Sequence, residues 1–146
     1  MKILFESETC SISSTLSRKN TPSVDGVFFQ SLKNEILGRN FDLSLVFIGK
    51  QKAQSLNFLY RKKPYATDIL SFTIEPNEMG EIYIFPEKAN QKSKLFDASE
   101  ADYLKYLLVH GMSHLKGYDH ESENEEAKME AFEAKILKKF KLKGVR

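Results

Sequence analysis

The three histidines of this chain, His110, His114 and His120, fall within eleven residues, in the segment His110-Gly-Met-Ser-His114-Leu-Lys-Gly-Tyr-Asp-His120. His110 and His114 are four positions apart, and on a helix that spacing puts both imidazoles on one face, one turn apart, able to hold one ion together. Gly117 can take the left-handed conformation that ends a helix, so the chain can turn back and return His120 toward the first pair. Three neutral nitrogens leave a fourth tetrahedral position open to water or substrate, the arrangement of catalytic rather than structural zinc. The single cysteine, Cys10, provides no thiolate cluster and no internal disulfide, so a metal must rest on histidines and carboxylates.

The pattern H-x-x-x-H-x-x-G-x-x-H has the spacing of the metzincin proteases, in which a glutamate follows the first histidine and serves as general base. Here that position is Gly111. Without a carboxylate there, the usual activation of water for peptide hydrolysis is missing. Ser113, between the first two histidines, has no base at a sequence distance that singles it out and reads as a small helix residue.

These side chains need a helix, a sharp turn and a scaffold. Ser99 and Asp102 resemble a capping box opening a helix whose apolar positions are Leu104, Leu107, Leu108, Met112 and Leu115, stopped by Gly117. A last helix is expected from about Ser122 to Phe140, with Met129, Phe132, Ile136, Leu137 and Phe140 as its buried stripe. Upstream, Lys2 to Glu6 reads as a short strand and Ser7 to Ser23 as loop. Val27, Phe28, Leu32, Ile36 and Leu37 recur at helical spacing up to Gly38. Asp42 to Ile48 reads as a buried strand, and a short helix then carries Ala53, Leu56, Asn57 and Tyr60. Ile69 to Glu75 and Glu81 to Phe85 form an antiparallel hairpin around the five-residue loop Pro76-Asn-Glu-Met-Gly80, followed by a polar linker. The expectation is a mixed α/β fold, helices packed on a sheet of about four strands, in one domain spanning residues 1–146.

Composition narrows the partners. No apolar run approaches the length of a membrane helix, and the N-terminal stretch meets acids too early for a secretory signal, so a cytoplasmic protein without a membrane partner is expected. With 22 basic and 20 acidic side chains the chain does not bind nucleic acid by bulk charge. Two local basic patches exist: Arg61-Lys62-Lys63, and a tail with Lys135, Lys138, Lys139, Lys141, Lys143 and Arg146. The tail reads first as a helix end whose cations complement the macrodipole, opposite Glu121, Glu123, Glu125 and Glu126 at the start.

The histidine segment resembles the signature of the YbeY family of bacterial metal-dependent endoribonucleases. A second segment agrees: Leu56-Asn-Phe-Leu-Tyr60-Arg61-Lys-Lys-Pro-Tyr-Ala-Thr67-Asp68-Ile-Leu-Ser71-Phe72 resembles that family's L-N-x-x-Y-R…T-D-V-L-S-F block. Gly80-Glu81-Ile82 stands near its usual G-D-I, and the matching stretch covers about residues 56 to 130. The departures are Glu81 for Asp and Ser113 where an aliphatic residue is commoner; neither removes a ligand.

The resemblance implies that His110, His114 and His120 bind one zinc ion and that Arg61 is the principal substrate-facing cation. A divalent ion and a guanidinium fork can together stabilise the charge that develops on a phosphodiester in cleavage. It further implies a single-strand-specific endoribonuclease acting on rRNA precursor, in 16S rRNA 3′ end maturation and ribosome quality control. Partners would be the small ribosomal subunit or its assembly proteins, with no DNA. The alternatives are a non-catalytic metal-binding ribosome assembly factor and a metallohydrolase of other substrates. Thr67, Asp68 and Ser71 are expected to fix the turn into a strand rather than touch substrate, and Tyr118 to pack. Asp119 is either a carboxylate that orients a ligand from behind or a solvated turn residue.

Overall fold

The computed structural model describes residues 1–145; Arg146, the last cation of the basic tail, lies outside the described residues. Five strands form one mixed sheet: β1 (Lys2–Glu6), β2 (Cys10–Ser14), β3 (Asp42–Phe47), β4 (Ile69–Glu75) and β5 (Met79–Ile84), in the spatial order β1-β2-β3-β5-β4. The three central strands run parallel, and each edge strand is antiparallel to its neighbour. Five α-helices accompany them: α1 (Gly26–Leu37), α2 (Lys50–Arg61), α3 (Pro86–Leu95), α4 (Glu100–Lys116) and α5 (Glu123–Lys139).

Alternation along the strands distributes the helices. Leu43, Leu45 and Phe47 of β3 and Ile82 and Ile84 of β5 join one core with Phe29, Leu32 and Ile36 of α1 and Leu104, Leu108 and Met112 of α4. Val46, of opposite parity, joins Ile48, Ala53 and Phe85 in a second cluster under α2. Parallel strands covered on both faces lose the polar/apolar alternation of a half-exposed sheet, and β3 reads as a nearly continuous apolar run for that reason.

Three expectations need correction. Residues 7–23 are not all loop: Cys10–Ser14 is β2, paired in parallel with β3 and antiparallel with β1, which makes five strands rather than four. Its serines concealed it, yet Ser13 and Ser14 are buried beside Cys10 and Ile12, and the ladders on both sides satisfy its backbone. The polar linker after the hairpin contains α3, opened by Pro86 at its first turn, with Ala89 and Ser93 four apart on its buried face. The hairpin is tighter than expected. Glu75 pairs with Met79, leaving Pro76, Asn77 and Glu78 as the loop, with Asn77 at φ 62°. Gly80 therefore lies inside β5, where a Cβ would come within 3.0 Å of Leu115 and 3.2 Å of Phe41.

The other elements stand where the sequence put them. Asp25 caps α1 through the N–H groups of Val27 and Phe28. The buried Lys33 closes that helix's far end, its Nζ donating to Thr9 Oγ1 and to the carbonyls of Gly38 and Arg39. In α5, Glu123, Glu125 and Glu126 occupy the first turn and Lys138 and Lys139 the last, the arrangement that complements the helix dipole.

Candidate metal centre

α4 carries the first two histidines. Ser99 caps it by accepting from the Asp102 N–H, and its middle is buried nearly all round, against the sheet and against α1, α3 and α5. Gly117 at φ 119° ends it. The Gly117 and Tyr118 N–H groups return to the carbonyls of His114 and Ser113, and the chain doubles back to bring His120 over the helix end. The ring centroids of His110 and His114 are then 4.7 Å apart, of His114 and His120 4.9 Å, and of His110 and His120 5.3 Å. One nitrogen from each ring lies within 4.8 Å of the others.

The donor chemistry of these rings fits a cation. His110 Nδ1 is 2.7 Å from Glu133 Oε2, and His114 Nδ1 is 3.1 Å from the Tyr118 carbonyl. A carbonyl or a carboxylate only accepts, so both Nδ1 atoms donate, and in the neutral form of each ring the lone pair is then on Nε2. Burial lowers the pKa of His114 below the ordinary histidine value, and the neighbouring His110 and His120 push in the same direction. A neutral ring is the form a metal requires. His120 is exposed, on the solvent side of the trio.

Glu133 is the residue that sequence reasoning missed. It sits on α5 with only 5% of its surface exposed. A signal was present: it lies four positions after Met129 and three before Ile136, a carboxylate inside the apolar stripe of the last helix. Buried carboxylates are rare without a partner, and the partner here is a candidate ligand. Asp119 lies in the turn before His120. Its Oδ1 accepts from the His120 N–H at 2.7 Å, so it holds the main chain of the turn that brings His120 to the other two rings.

The histidines open onto a cleft of about 700 Å³ whose other walls include Tyr60, Arg61, Asp68, Ser71, Phe72 and Asp119. The two sequence blocks thus share one cavity, and Arg61, the last residue of α2, is on its wall. Asp68 is buried. Its Oδ2 accepts from the Tyr103 hydroxyl at 2.8 Å and its Oδ1 lies 3.5 Å from Lys92 Nζ, so it ties the start of β4 to α3 and α4. Ser71 donates to the Gly111 carbonyl at 3.3 Å, tying β4 to α4. Ser113 is fully buried with its hydroxyl on the Val109 carbonyl at 2.7 Å, and the Tyr118 ring stacks on Phe132.

Gly111 faces the sheet at closest approach. A Cβ there would come within 2.9 Å of Ile69, 3.0 Å of Ser71 Oγ and 3.2 Å of Ile82. At the position that bears a catalytic glutamate in metzincins, a side chain here would have to displace the Ile69, Ser71 and Ile82 side chains of the sheet.

Comparison with known proteins places the chain in a family. The family model described as Endoribonuclease YbeY matches residues 4–141. An Endoribonuclease YbeY of Staphylococcus epidermidis is 31% identical over 132 residues, 82% of this chain and 85% of that protein. One of Phytoplasma australiense is 42% identical over 112 residues, covering 70% and 77%. One of Bdellovibrio bacteriovorus is 44% identical over 87 residues, an alignment spanning 59% of this chain and 58% of that protein. A solution structure from Thermotoga maritima superposes over 90% of this chain and 91% of its own, with TM-score 0.54 and 22% identity, which establishes the likeness of fold. With its family model matched along nearly the whole length, the chain belongs to the YbeY endoribonuclease family.

Proposed function

We propose that this chain is a zinc-dependent, single-strand-specific endoribonuclease, with His110, His114 and His120 as the ligands of one ion and Arg61 as the cation that meets the scissile phosphate. The observation that carries the reading is the gathering of three imidazoles on the wall of an open cleft, two of them with Nδ1 committed to an acceptor so that Nε2 is the nitrogen available to a metal in the neutral ring. A divalent ion, when bound, supplies Lewis-acid charge for the phosphate oxygens. Arg61 adds a guanidinium fork that matches two non-bridging oxygens. Glu133 and the Tyr118 carbonyl hold the His110 and His114 rings in one tautomer, and Asp119 holds the turn that delivers His120. Asp68 is a strut rather than a base, since one oxygen accepts from the Tyr103 hydroxyl and the other faces Lys92.

The substrate is RNA, and the process is 16S rRNA 3′ end maturation and ribosome quality control in the cytoplasm, alongside the small ribosomal subunit or its assembly proteins. The resemblance of both sequence blocks supports this assignment. The test is zinc content by elemental analysis together with cleavage of an rRNA precursor by wild type, His114→Ala and Arg61→Ala. Wild type is expected to carry about one zinc per chain, His114→Ala to lose metal and cleavage, and Arg61→Ala to cleave roughly 100- to 1,000-fold more slowly with metal retained. Equal cleavage by wild type and His114→Ala would overturn the enzymatic reading and leave an assembly factor that binds without cutting.

A further inference from the structure

Within one eight-residue stretch, Phe58, Leu59, Tyr60 and Tyr65 are 58%, 60%, 61% and 55% exposed. Single exposed apolar side chains are ordinary, but four large ones clustered in sequence call for an explanation. α2 buries only Ala53 and Asn57 among its described residues, so its last turn projects from the body with no core to fill. Three consecutive cations, Arg61, Lys62 and Lys63, are interleaved with these aromatics, and all three are exposed.

The helix end is nonetheless held in place. Lys62 adopts the left-handed conformation at φ 60° and returns its N–H to the Asn57 and Phe58 carbonyls. Asn57 Nδ2 donates to the Tyr65 carbonyl at 2.7 Å, which fastens the following loop against the helix. The Tyr60 ring rests on Phe72 with centroids 4.4 Å apart, and Phe72 in turn meets the edge of Tyr83 at 5.7 Å. Tyr60 is therefore supported from beneath and open above, and both it and Arg61 line the histidine cleft.

We propose that the C-terminal end of α2 is a stacking platform for unpaired RNA bases, with Tyr60 as its central ring, and that Lys62 and Lys63 hold the phosphates that lead the strand into the cleft. The inference rests on the ribonuclease reading and deepens it by naming where the strand lies outside the cleft. Aromatic faces interleaved with cations, continuous with a phosphodiester site, are the chemistry of single-strand recognition, in which bases stack on rings while lysines track the backbone. A duplex keeps its base faces stacked inside, so a platform of this kind discriminates against it without any base-specific contact.

The experiment measures the affinity of the full-length protein for a fluorescein-labelled 2′-O-methyl oligouridylate, which resists cleavage, by fluorescence anisotropy. Tyr60→Ala is expected to bind roughly 5- to 150-fold more weakly and Tyr60→Phe like wild type, because stacking needs the ring and not the hydroxyl. Lys62→Ala with Lys63→Ala is expected to reduce the salt slope of log Kd by about 1.4, roughly 0.7 for each phosphate that the lysines no longer neutralise. Tyr65→Ala, on the loop beyond the helix, serves where Tyr60→Ala does not fold. Unchanged affinity in the folded tyrosine variant overturns the platform, as does equal affinity for a self-complementary duplex. Binding of the patch to anionic vesicles, with RNA affinity untouched by Tyr60→Ala, overturns it too. Wild-type cleavage that is lost in His114→Ala while Tyr60→Ala binds normally would sink the platform alone, whereas wild type that neither binds nor cleaves RNA would sink both readings.

Discussion

Replacing Glu133 tests whether the candidate ligands are held from behind by the fold. Its Oε2 lies 2.7 Å from His110 Nδ1, and the two side chains are 6% and 12% exposed, so water does not substitute easily for either partner. Removing a group that orients a metal-binding histidine costs about 10- to 100-fold in metal affinity, or roughly 1.4–2.7 kcal/mol. Glu133→Ala should sit near the upper end. Glu133→Gln keeps an acceptor for Nδ1–H but loses the charge, and should sit near the lower. By linkage, at a zinc concentration saturating for all variants, the stabilisation conferred by zinc falls by the same energy, which at roughly 2–4 °C per kcal/mol is about 3–11 °C of the zinc-induced rise in Tm. Calorimetric titration of zinc into metal-free protein gives the affinities, and thermal unfolding with and without zinc gives the increment. A folded Glu133→Ala that binds zinc as tightly as wild type would refute the reasoning, because His110 would then need no orienting partner.

Gly111→Ala drives a methyl group into Ile69, Ser71 and Ile82 and should cost about 1–3 kcal/mol in urea unfolding; a neutral result would mean that α4 can lift off the sheet without penalty. Asp68→Ala removes the carboxylate that accepts from the Tyr103 hydroxyl and faces Lys92, and should cost about 1–3 kcal/mol by the same measurement, with zinc affinity unchanged because Asp68 touches no histidine. His114 titrates below its unfolded value of 6.5, so the metal-free unfolded chain binds a proton that the folded chain does not. The stability this group contributes is complete above pH 6.5 and is lost as pH falls toward the folded pKa. Denaturant midpoints of metal-free wild type should therefore drop below pH 6.5 more steeply than those of His114→Gln, and parallel curves would contradict the shift.

Much of the site was legible because it is local. The i, i+4 spacing of His110 and His114, the helix-ending Gly117 and the return of His120 are consequences of backbone geometry within eleven residues, and the helix that carries them announces itself in its apolar period and its Ser99 cap. The absence of a glutamate at position 111 was visible too, but its surroundings were not: the glycine lies close against Ile69, Ser71 and Ile82 of the sheet, which are far away in sequence. β2 and α3 were hidden because their stability does not reside in their own hydrophobicity. β2 draws on ladders to two neighbours, and α3 on a small buried face of Ala89 and Ser93.

The sequence by itself thus determined the three histidines, the helix and turn that gather them, and the family to which the chain belongs, since each rests on short-range periodicity or on motifs read in line. Tertiary structure alone decided the rest. It set Glu133 of α5 against His110 of α4, brought Arg61 of α2 to the wall of the histidine cleft, committed Asp68 to Tyr103, and left Tyr60 supported on Phe72 with its other face open. These pairings join residues 12 to 59 positions apart. No local rule fixes which of many possible partners a side chain meets once the helices pack on the sheet.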